Sequence, residues 1–133
     1  MATDDDSPRE LIERELARDP DSIVNTSIEL LELLANALIE SIGEQGFEIL
    51  LFRSIQSVNL DFTWLMFDPR SRPADPEFNA LRRCLEGEDL AEAAAASVLL
   101  FNTLIDSLEL LIGKHLTMTT LQAALGRAET QKN

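Results

Sequence analysis

Residues 28–51 read IELLELLANALIESIGEQGFEILL, and seventy positions later residues 98–121 read VLLFNTLIDSLELLIGKHLTMTTL. Both stretches run through leucines to an Ile-Gly pair and then start again. In the first, Glu29, Glu32, Asn36 and Glu40 recur at steps of three and four, which places them on one stripe of a helix. Ile28, Leu30, Leu31, Leu34, Leu38 and Ile42 occupy the rest of its circumference. A helix apolar on so many sides is either central or covered by a second subunit. Its expected span is 20–42, stopped at Gly43 because glycine readily takes the backbone angles that end a helix.

A returning helix is expected over 46–64, with Gln45, Glu48, Gln56, Asn59 and Thr63 as its polar line. Phe52 stands where that line calls for a polar residue. The second long helix is expected from about Glu88 to Gly113, with Glu92, Asn102, Asp106 and Glu109 facing water and a small-residue run, Ala93–Ala96, allowing close helix approach. A last helix follows from about Thr117 to Leu125. The shift by seventy aligns Leu30, Leu34, Leu38, Ile42, Gly43 and Leu51 with Leu100, Leu104, Leu108, Ile112, Gly113 and Leu121. The expected fold is therefore all-α: a four-helix bundle built from two long-helix hairpins. Additional short helices follow Ser7-Pro8 and Asp75-Pro76. Positions 1–133 form one domain, with residues 1–6 mobile, 67–76 a proline-rich loop and 126–133 a fraying tail.

The segments IGEQGFEILLFRSI (42–55) and LELLIGKHLTMTTLQAAL (108–125) resemble segments of uncharacterised bacterial all-helical proteins. The resemblance implies a bacterial source and a helical bundle. It carries no activity and no site residues.

Composition narrows the function. Acidic residues outnumber basic ones by 24 to 11, for a net charge of −13, so nucleic-acid phosphates and anionic lipid should be repelled. The acidic start MATDDDSPRE lacks the basic region of a signal peptide, and the uncharged run Ala93–Ile105 is too short to span a bilayer. A soluble, cytoplasmic protein without a nucleic-acid or membrane partner is expected. Cys84 is the single cysteine, so no internal disulfide and no cysteine-based metal spacing exist. The pattern Glu-x-x-His of carboxylate-bridged metal bundles does not occur, and neither does a glycine-rich phosphate loop. No cofactor, metal or catalytic residue is expected.

The one histidine, His115, raises the alternative of a histidine phosphotransfer-like signalling module. In KHLTMTT, however, the lysine precedes the histidine and no glycine follows, and the residue is expected in a turn, beside the carbonyls of a helix C-terminus. Arg70, Arg72, Arg82 and Arg83 flank the proline loop without aromatics between them, which fits salt bridging to acidic helices or a small docking spot. A small apolar ligand held between the long helices is a further alternative. The leading expectation is a non-catalytic interaction or regulatory module, a homodimer or the binder of another protein. Its contact residues would be Phe52 with Phe62, Trp64, Leu65, Met66 and Phe67, since aromatics and methionine are enriched in interface cores.

Overall fold

Leu90 begins a helix because the Asp89 carboxylate, one residue earlier, accepts the Glu92 backbone N–H and satisfies one of the donors that a helix start leaves open. Local signals of this kind divide the chain in the computed structural model, which describes residues 8–70, 75 and 77–132, with side chains as far as Gly126. The elements are α1 (Pro8–Ala17), a 3-10 turn at Pro20–Ser22, α2 (Ile23–Asn59), α3 (Asn79–Glu86), α4 (Leu90–Ile112) and α5 (Lys114–Lys132). Among the described residues there is no strand, and the five helices pack together into an all-α fold. The expected mobile start at 1–6 and half of the proline-rich loop, residues 71–74 and 76, lie outside the described residues.

α2 is broken at Gly43, whose angles (φ 83°, ψ 163°) are far from helical, and α4 stops at Gly113 with almost the same pair (φ 89°, ψ 160°). Residues with a side chain avoid this region, so both Ile-Gly stops use glycine for the same reason. The helix after Gly113 starts at Lys114, earlier than expected. Thr117 explains the difference: its N–H and its hydroxyl (2.8 Å) both donate to the Gly113 carbonyl, which closes the first turn. His115 is therefore in the first turn of α5 and not in a turn between helices. The α5 backbone also stays helical to Lys132, past the expected end near Leu125. The residues there, among them Arg127, Ala128 and Glu129, are good helix formers.

Beyond Gly43, α2 ends at Asn59 and not at Trp64. The Asn59 side-chain amide donates to the carbonyls of Thr63 and Leu65, each at 3.0 Å, and folds the next residues back into a turn.

The two helix–glycine–helix units match in more than sequence. Over 23–56 and 93–126, no buried position of one unit corresponds to an exposed position of the other. Ser27 and Ser97, seventy residues apart, are both buried, and the Ser27 hydroxyl donates to that of Ser97 at 3.0 Å. A contact between equivalent positions is what a local two-fold axis between the units requires. Around it the core is aliphatic: Leu31, Leu34 and Leu38 from the first unit and Phe101, Leu104 and Leu108 from the second are fully enclosed. The apolar circumference of the first long helix is thus satisfied mainly within one chain. Ala93 and Ala96 are fully buried, as a close helix approach needs.

α1 lies on α4, α2 and α5 and buries Ile12 and Leu16, each of which stabilises by roughly 1.5–3 kcal/mol. It covers part of the polar stripe of α4. Asn102, expected in water, is only 8% exposed, and its amide donates to Glu13 at 3.0 Å while its Oδ1 has no hydrogen-bond partner. α3 packs on α2 through Leu81 and Leu85. Two helices, Pro20–Asn59 and Leu90–Ile112, are long and apolar enough to cross a membrane by length and composition. Inside the fold, 50% and 39% of their most apolar windows are buried.

Candidate interaction surface

The six residues singled out from sequence fall into different environments. Leu65 is fully enclosed by the chain's own core, which removes it from any contact surface of the folded monomer. The turn made by Asn59 is the cause, because it tucks the chain after α2 inward. Phe62, Trp64 and Phe67 are half-buried and pack against the same core. Phe62 and Trp64 meet edge to face at 5.9 Å, and the Trp64 indole N–H donates to Glu92 at 3.4 Å. Phe52 is half-buried under the Arg70 guanidinium, 4.0 Å above its ring centroid, a cation–π contact reaching over from the loop. Met66 alone of the six is exposed.

The arginines are also drawn into local pairs. Arg70 is bonded to Asp68 at 3.0 Å, and this partnership holds the Asp68 carboxyl below its usual range and raises the Arg70 guanidinium. Arg82 donates to Asn25 at 2.7 Å and approaches Glu86 at 3.7 Å. Arg72 lies outside the described residues. Cys84 is half-buried, with its thiol 3.8 Å from the Met66 carbonyl. His115 is exposed, and its carbonyl accepts the Thr119 hydroxyl at 3.0 Å. Among the described residues no three His, Cys, Asp or Glu side chains group as metal ligands.

Exposed apolar bulk gathers elsewhere. Leu110 is 91% exposed, Leu111 60%, Leu116 54% and Ile49 51%. Between the second half of α2 and the end of α4 runs an open groove of about 570 Å³, lined by Gly46, Ile49, Leu50 and Arg53 on one side and Ser107, Leu110 and Leu111 on the other. This surface was missed in the sequence because Leu110 and Leu111 continue a leucine run that reads as core. The signal that could have found it is the register itself. Leu110 and Leu111 align with Glu40 and Ser41, which are exposed polar residues at the same point of the other unit.

A scan of protein-family models, a search of curated proteins and a search of solved structures each find no match to this chain.

Proposed function

We propose that this chain is a non-catalytic protein-interaction module of the cytoplasm, an acidic four-helix bundle of two hairpins. It binds protein through the groove between α2 and α4. The observation that carries the reading is the cluster of Ile49, Leu110 and Leu111 on that groove, each at least half exposed. Contiguous apolar surface of this kind marks interaction sites, whereas singly scattered apolar residues need no explanation. The net charge of −13 supports a protein partner over nucleic acid or anionic lipid.

The test is a photoactivatable cross-linking residue placed at position 110 in living cells, with position 40 as the matched control. Protein adducts at 110 and none at 40 are expected. No adduct at 110, or equal labelling at both positions, would overturn the reading.

A further inference from the structure

The repeat supplies an internal control for the groove. Gly46, Ile49, Leu50 and Arg53 correspond to Leu116, Thr119, Thr120 and Ala123, and Ser107, Leu110 and Leu111 correspond to Ala37, Glu40 and Ser41. Positions 40 and 110, 41 and 111, 49 and 119, and 53 and 123 are exposed in both units. Each of these exposed apolar places thus has a polar counterpart in the other unit: Glu40 and Ser41 of the first stand against Leu110 and Leu111 of the second, and Thr119 of the second against Ile49 of the first. Folding of the monomer does not demand apolar side chains at these places.

The shape of the face says what fits it. Leu110 and Leu111 project from the α4 wall of an open groove whose α2 wall carries Ile49 and Leu50. Knob and hole on one face are the requirement of an isologous contact, in which each copy offers both. The charges are arranged in the same sense. Arg53 stands on the α2 side, and Asp106, one turn before Leu110, stands on the α4 side with half of its side chain exposed. Asp106 meets Arg9 at only 3.5 Å, and an exposed pair of that kind is weak. A second copy related by a two-fold axis along the groove sets Arg53 of each chain opposite the Asp106 side of the other.

Resting on the interaction reading above, we propose that the partner is a second copy of this chain, joined through the Leu110–Leu111 ridge and the Ile49–Leu50 groove. Light scattering and sedimentation of the purified full chain, from low to high micromolar concentration, test it. Twice the chain mass of 14.8 kDa is expected. Leu110→Glu or Leu111→Glu should return the chain to a monomer that keeps its helical circular dichroism, since both residues already face water. Arg53→Asp should weaken association roughly tenfold or more, and adding Asp106→Arg should restore it. A monomer throughout, or a dimer indifferent to Leu110→Glu, overturns the proposal. If the pure chain is monomeric while position 110 captures a different protein in cells, self-association fails and the interaction reading stands. Binding to phosphatidylcholine vesicles by a monomer that forms no protein adduct removes both.

Discussion

Asp75 accepts the backbone N–H groups of Asn79 (3.1 Å) and Ala80 (3.0 Å), closing the start of α3 across Phe78, whose φ of 54° is left-handed. Phe78 tolerates that conformation because its ring docks edge to face on Phe47 at 6.4 Å. Asp75→Ala should cost about 1 kcal/mol in urea unfolding, the usual loss for a helix cap. Burial raises the Asp75 carboxyl, but the hydrogen bonds from Ala80 and Asn79, aided by Arg83, hold it below its ordinary 3.8. Its contribution is therefore present above that value and disappears as pH falls through the lowered folded one. Glu32 has the opposite sign. Burial, and then the charges of Glu77 and Glu29, raise it above 4.5 against the weaker pull of Arg82, so stability declines as pH rises from 4.5 through the raised value. Glu32→Gln should gain on the wild type over that window, visible as a diverging urea midpoint. At Ser27 and Ser97, either single alanine should cost about 1 kcal/mol by stranding a buried hydroxyl, and the double alanine should recover most of the loss. A double-mutant cycle measures this directly. The start of α3 at Asp75 was legible in the sequence as Asp75-Pro76; the surroundings of Glu32 and the Ser27–Ser97 bond were not, because they depend on which residues the fold brings opposite one another.

The helical elements were far more legible. The three-and-four spacing of Glu29, Glu32, Asn36 and Glu40 located the first long helix, and the two Ile-Gly pairs located both breaks. What the spacing could not show was the cover over a stripe. Asn102 reads as solvent-facing until α1 lies across it, an outcome set by Ile12 and Leu16 ninety residues away in sequence. The same holds for Leu65, which is drawn inward by an amide on Asn59. Gly43 and Gly113 offer a test at this scale. No atom stands within 4 Å of a Cβ built at either position, so alanine there meets backbone strain alone. Gly43→Ala and Gly113→Ala should each destabilise by about 1–3 kcal/mol, and by similar amounts, in thermal or denaturant unfolding. A large inequality between them would mean that the two bends are not equivalent devices.

At the level of the whole molecule, charge opposes self-association while the groove favours it. Each copy carries −13, whereas the proposed contact adds only the two Arg53–Asp106 pairings. Long-range repulsion is therefore the larger electrostatic effect, and added salt should strengthen the dimer by screening it, a trend readable from sedimentation at several ionic strengths. The acidity was plain from composition. The face that overcomes it was not, since a leucine looks the same in a core and on a ridge until its exposure is known. The axis at Ser27 and Ser97 has one more consequence. The two units meet across one shared core, with Leu31, Leu34 and Leu38 from the first and Phe101, Leu104 and Leu108 from the second, so non-covalent contacts join them as well as the chain. A chain severed between Gly87 and Glu88 leaves α1, α2 and α3 in one fragment and α4 and α5 in the other. The two pieces, separated in denaturant and mixed again, should find one another and rebuild the particle, as two gene products could.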